Sequence, residues 1–167
     1  MVFAFGHLIG AWLVGLVIEK FSKIKITNLG WGLLLFGGAL PDIDFLFNLV
    51  FGFGYHRSLT HSLIFVIIAY LIIYLVLKRF KLEKEAIFVP IGILVHLSLD
   101  MIGYPGIMLF WPLDYFVHFF DINKGITLLG LAEENLLRKV KYLIVDTVLG
   151  AIWIGYLYYS RKLNFER

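Results

Sequence analysis

The residues able to do chemistry fall into four short groups. His96 and Asp100 are four apart in an apolar run that reads as a helix. That spacing puts both on one helical face, about 5–6 Å apart at Cβ, where they can share a metal ion or cap the end of the helix. Asp42 and Asp44 are two apart in Pro41-Asp42-Ile43-Asp44. Pro41 disfavours continuation of the preceding helix, and on an extended segment alternate side chains align, so the pair is expected to offer two carboxylates to one cation. His56 and His61 flank Arg57 and Thr60. One helical turn would bring Arg57 and His61 toward the same place. Two imidazoles with carboxylates suit zinc, manganese or iron, and the Arg57 fork suits phosphate or carboxylate. Paired instead with Asp42 or Asp44, Arg57 would be structural. His7 lies inside an apolar run, where an ionisable group marks a functional site or a hydrogen bond between helices.

The elements that must position these groups are membrane helices. Hydrophobic residues make up 60% of the 167 residues and charged residues 16%, whereas a soluble domain carries about 25% charged residues. Mean hydropathy is +0.87. This excludes a soluble globule, a disordered chain and a nucleic-acid-binding protein. The net charge of +3 calls for no anionic partner, and the absence of cysteine removes disulfides and thiolate metal sites.

Apolar runs span Phe3 to Ile18, Leu29 to Leu40 with a continuation from Phe45 to Phe53, Leu63 to Leu77, Ala86 to Leu99, and Tyr142 to Tyr159. Against the roughly 20 residues of a bilayer crossing, they give an all-α, polytopic helical membrane protein. It has about five transmembrane helices, the second broken at Pro41-Asp42-Ile43-Asp44. The chain is one integral-membrane domain over residues 1–167, with its metal-site motifs within 7–114.

Basic residues follow the first, third and fifth runs (Lys20, Lys23 and Lys25; Lys78, Arg79, Lys81 and Lys84; Arg161, Lys162 and Arg167). The positive-inside rule makes these ends cytoplasmic. The N-terminus is then outside and the C-terminus inside. Arg138, Lys139 and Lys141 run against this orientation, in or near a long loop. With it, His7, Asp42, Asp44, His56, His61, His96 and Asp100 all converge on the outer side, with Arg57 beside them. Seven candidate ligands exceed the three or four of one catalytic ion, so they imply two ions, or one ion with an acid–base set.

Other polar residues are read differently. His118, in Tyr115-Phe116-Val117-His118-Phe119-Phe120, fits an interfacial aromatic belt, and Trp111-Pro112-Leu113 fits a rigid interfacial turn. Glu133 and Glu134 fit a solvated amphipathic segment. Asp146 either orients a ligating imidazole or pairs with Lys139 or Lys141.

The ordered set Gly38-Ala39-Leu40-Pro41-Asp42-Ile43-Asp44, His56-Arg57-Ser58-Leu59-Thr60-His61-Ser62-Leu63, His96-Leu97-Ser98-Leu99-Asp100 and Trp111-Pro112-Leu113 resembles the YdjM-like membrane-bound, metal-dependent hydrolases. His7 followed by Gly10 is similar to that family's N-terminal histidine. The resemblance covers roughly residues 1–114. It implies an inner-membrane location and metal ligation by His7, Asp42, Asp44, His56, His61, His96 and Asp100. Phe45 stands where the family often has histidine, and Ser58 where it usually has glycine.

The expected function is hydrolysis of a phosphoester in a lipid or lipid-linked substrate, at a site facing the outer leaflet. The cofactor is a divalent ion, zinc or manganese. Arg57 would bind phosphate, and Asp44 would act as general base as well as ligand. The partners are membrane lipid and a small-molecule or lipid substrate. The alternatives are a divalent-metal transporter and a non-catalytic membrane scaffold with a structural metal site.

Overall fold

A computed structural model describes residues 4–22, 24–45, 57–102, 106–119 and 136–160, without the side chains of 136–139 and 142. The described residues contain five α-helices and no strand: α1 (Ala4–Ser22), α2 (Asn28–Ala39), α3 (Leu63–Lys78), α4 (Phe88–Asp100) and α5 (Leu136–Tyr159). Short 3-10 turns cover Leu40–Asp42, Leu59–His61 and Glu83–Ile87. Among the described residues one helix, α1, is both long and apolar enough to cross a membrane, while Leu63–Lys78 and Leu143–Tyr159 are shorter apolar helices. At 19 residues α1 spans about 28 Å.

Local signals explain where the helices start. Thr27 caps α2, its hydroxyl accepting from Gly30 N at 2.9 Å. Ser62 caps α3 by accepting from Phe65 N at 3.2 Å. Such caps satisfy backbone donors that a first turn leaves orphaned. Pro90 falls in the first turn of α4, where its missing N–H breaks no helical bond.

The break after α2 differs from the expected extended segment. Pro41 opens a 3-10 turn over Leu40–Asp42, and residues 43–45 stay helical. Proline is favoured at the start of a helical turn because its fixed φ suits it and no N–H is needed there. A helical i,i+2 spacing sends Asp42 and Asp44 in different directions. They therefore do not address one point together, which corrects the expectation of an aligned pair.

Helix α4 is the central element and packs against α1, α2 and α3. Its Val89, Ile93 and Leu97 join Val66, Ala69, Met101 and Ile107 in the buried apolar cluster. The α2–α4 crossing is very close. A Cβ on Gly92 would collide with the carbonyl of Leu34 and lie 2.7 Å from Gly38 N. Elsewhere the usual pattern is inverted. His7, Arg57, His61, His96, Asp100 and Asp146 are buried, while Ile67, Leu71, Ile72 and Leu75 of α3 and Leu143, Ile144, Val148 and Ile152 of α5 are exposed. An exposed apolar area of this extent marks an interaction surface, and a bilayer is the partner for which polar groups turn inward.

Gly92→Val should therefore lower the thermal stability of the detergent-solubilised protein strongly. Overpacking costs about 1–3 kcal/mol, and here the obstacle is backbone. Gly32→Ala, where a Cβ meets nothing within 4 Å, should be neutral or slightly stabilising by the same thermal-unfolding assay.

Candidate metal centre

The site is assembled by α1, the turn after α2, the turn before α3 and the end of α4. His96 and Asp100 project from one face of α4, and His96 Nε2 lies 3.7 Å from Asp100 Oδ2. The other ring nitrogen of His96, Nδ1, is 2.8 Å from the carbonyl oxygen of Gly38. The close α2–α4 crossing brings that carbonyl within reach.

His61 ends the Leu59–His61 turn and is fully buried. Its Nδ1 lies 3.0 Å from Thr60 Oγ1 and 3.3 Å from Asp44 Oδ2. Its Nε2 lies 3.2 Å from His96 Nε2 and 3.4 Å from Asp100 Oδ2. Burial lowers the His61 pKa, but hydrogen bonds to Asp100 and Asp44 outweigh that, so it stands above the ordinary histidine value.

Asp100 is the hub. Oδ2 faces His61 and His96, while Oδ1 lies 3.5 Å from His7 Nε2 and 3.2 Å from Arg57 Nη2. The His7 ring stacks on His96 with centroids 3.7 Å apart. His7 Nδ1 and Arg57 Nε are buried with no hydrogen-bond partner among the described residues.

Arg57 is held from several sides. Nη1 donates to Gly106 O at 3.4 Å, its backbone N–H donates to Asp44 Oδ2 at 3.1 Å, and its carbonyl accepts from Met108 N at 3.1 Å. These contacts fix a non-glycine residue at φ 69°, a left-handed conformation that costs about 1–2 kcal/mol. Gly106, at φ +87°, lies so close to Val117 O that a Cβ would collide with it. Only glycine suits that position.

Among the described residues, two groups of side chains could hold a metal ion: His7 with His96 and Asp100, and Asp42 with His61 and His96. His96 belongs to both. Asp42 Oδ1 lies 3.6 Å from His96 Nε2. Asp44 belongs to neither group. Its Oδ2 also accepts from Thr60 Oγ1 at 2.8 Å, which makes it the acceptor that organises the Arg57–His61 turn. The Arg57 side chain makes an ion pair with Asp100, an acid that the structural alternative of pairing with Asp42 or Asp44 did not include. Arg57 and His61 do converge, but through a left-handed residue and a 3-10 turn rather than one helical turn. His56 lies outside the described residues, as do Glu133 and Glu134.

Several participants were not predicted in their roles. Thr60 is legible only as a hydroxyl beside His61. Gly38 acts through its carbonyl and Gly106 through its carbonyl and backbone, which no side-chain pattern announces. Among the described residues Asp146 pairs with backbone rather than with an imidazole: its oxygens accept from Phe5 N at 3.1 Å and Gly6 N at 2.8 Å. His118 is exposed and is in neither metal group.

Comparison with curated proteins and with solved structures returned no match. Comparison with family models matched one described as the YdjM inner membrane protein family, over residues 1–164. The match runs well past residue 114, where the recognisable motifs end, and takes in α5. It covers nearly the whole chain, so this protein belongs to the YdjM inner membrane protein family.

Proposed function

We propose that the chain is a membrane-embedded, divalent-metal-dependent hydrolase of a phosphoester in a lipid or lipid-linked substrate. The observation that carries metal binding is the 3.2 Å approach of His61 Nε2 to His96 Nε2. Gly38 O can only accept, so His96 Nδ1 carries a proton; the Asp44 carboxylate assigns the same role to His61 Nδ1. His96 Nε2 then presents a lone pair to His61 Nε2, and either a proton on His61 Nε2 or a cation between the two makes that contact favourable. Asp42 Oδ1 is the third donor of this group, 3.6 Å from His96 Nε2. Asp100 Oδ2, 3.4 Å from His61 Nε2 and 3.7 Å from His96 Nε2, belongs with His7 and His96 to the adjoining group. Imidazole and carboxylate donors together suit zinc or manganese.

The membrane setting follows from family membership and from the apolar residues exposed on α1, α3 and α5. Our reading is five spans, with the N-terminus outside, the C-terminus cytoplasmic and the site opening toward the outer leaflet. The Asp42 side chain is 34% exposed, against 3% for Asp100 and 0% for His61 and His96, so water and substrate approach past Asp42. At that depth the available esters are those of lipid headgroups.

A divalent ion supplies Lewis acidity toward water and a phosphoryl oxygen. Arg57 binds the phosphate, with Nε keeping a donor for it. Asp44 orients His61 and the turn through its contacts with Thr60 and the Arg57 backbone. In the reaction the water oxygen bonds to phosphorus, the ester P–O bond breaks, and the leaving alcohol takes up a proton that water gives up. A structural ion is the second reading, favoured by the engagement of the Arg57 guanidinium with Asp100 and Gly106.

Elemental analysis of detergent-purified protein should find about one equivalent of metal or more. Asp42→Ala and His61→Ala should lose it while still inserting in the membrane; full metal content in both would contradict the ligand assignment. Asp44→Ala should keep the site but weaken metal affinity about 10–100-fold, read by competitive chelator titration. Arg57→Lys should retain metal and lose at least about tenfold in hydrolysis of lipid phosphoesters, because the bidentate fork is gone. Metal without hydrolysis of any lipid phosphoester would favour the structural ion.

A further inference from the structure

Helix α5 carries an acidic residue where its neighbours offer no reason for one. Ile144, Val145, Val148 and Leu149 are exposed and apolar, yet Asp146 between them is 9% exposed. An acidic side chain among such residues is costly unless its oxygens are hydrogen-bonded. They are: Oδ2 accepts from Phe5 N at 3.1 Å and Oδ1 from Gly6 N at 2.8 Å. These N–H groups belong to the first turn of α1, whose leading donors have no partner within the helix. An acidic group is also favoured there by the helix dipole. One turn further along α5, Gly150 lies against the Phe5 ring, so closely that a Cβ would collide with it. Asp146 and Gly150 thus lie on one face of α5 and together grip Phe5 and Gly6.

The next residue is His7. Its ring is stacked on His96, and its Nε2 faces Asp100 Oδ1 at 3.5 Å. His7 has no other hydrogen-bonding support, because Nδ1 has no partner among the described residues. Its ring is carried by the backbone of α1, and Asp146 holds the two residues that precede it. We propose that Asp146 is a positioning residue for the metal centre: it fixes the first turn of α1 from α5 and thereby seats His7 against Asp100 and His96. This rests on the metal-binding reading above. It gives the C-terminal helix, which contributes no side chain to either metal group among the described residues, a defined part in the site.

The test is a double-mutant cycle read by zinc affinity in the full-length, detergent-purified protein: wild type, Asp146→Ala, His7→Ala and the double variant. Zinc affinity should fall about tenfold or more for Asp146→Ala. In the His7→Ala background the same change should alter it less than about twofold. An equal loss in both backgrounds, or no loss in either, would overturn the proposal. Asp146→Asn keeps an acceptor oxygen and should recover part of the affinity; if Asp146→Ala does not fold, Asp146→Asn carries the same comparison. Should the wild type bind no zinc, the metal reading fails, and histidine ring resonances of the metal-free protein decide the proposal alone. Asp146→Ala should then shift His7 and leave the exposed His118 unmoved; an unmoved His7 would overturn it.

Discussion

Two imidazole rings meet at Nε2 with a separation of 3.2 Å, and the surrounding structure holds them there from behind. Gly38 O fixes His96 through Nδ1, while Asp44 and Thr60 fix His61 through Nδ1. Neither ring can turn away without giving up a buried hydrogen bond, which costs about 1–3 kcal/mol. The approach is therefore imposed by the fold, and positive charge between the rings relieves it. Asp100 and Asp42 add negative charge around the same point. A polar cluster of this kind inside an apolar chain is expensive unless each member is satisfied.

Much of the rest can be understood as support for that contact. The glycines at the α2–α4 crossing let the backbones approach, and this brings the carbonyl of Gly38 to His96. The segment from Gly106 to Leu109 braces the turn before α3: Gly106 O and Met108 N engage Arg57, and Leu109 O accepts from Leu63 N at 3.0 Å. The left-handed backbone at Arg57 is held between Asp44 on one side and Met108 on the other. From outside, α5 holds the start of α1 through Asp146. The apolar exteriors of α3 and α5 have no such internal role, in keeping with a family of the inner membrane.

What could be read from the sequence was whatever depends on helical periodicity or on the identity of a side chain. His96 and Asp100 share a face because they are four apart in an apolar run, and both face the cluster. The histidines and acids named beforehand, His7, Asp42, His61, His96 and Asp100, do come together. The misreading at Pro41-Asp42-Ile43-Asp44 has a physical cause. Proline ends one helix, but it also begins a 3-10 turn readily, and that geometry separates Asp42 from Asp44. The ion pair of Arg57 with Asp100 is not legible in the sequence, which carries no measure of distance across the fold. The roles of Gly38 and Gly106 were illegible for another reason: a carbonyl belongs to every residue, and only tertiary packing selects which one is used. For Asp146 both alternatives assumed a side-chain partner, whereas its partner is the backbone of α1.

The central claim is that His61 and His96 place their Nε2 atoms on one divalent ion. X-ray absorption spectroscopy at the zinc edge of the zinc-loaded, detergent-purified protein tests it most directly. The expected spectrum has nitrogen and oxygen neighbours at about 2.0–2.1 Å, four in number, with the outer-shell scattering of two imidazole rings. A shell made only of oxygens, without imidazole scattering, would contradict the claim and leave the histidine pair as packing.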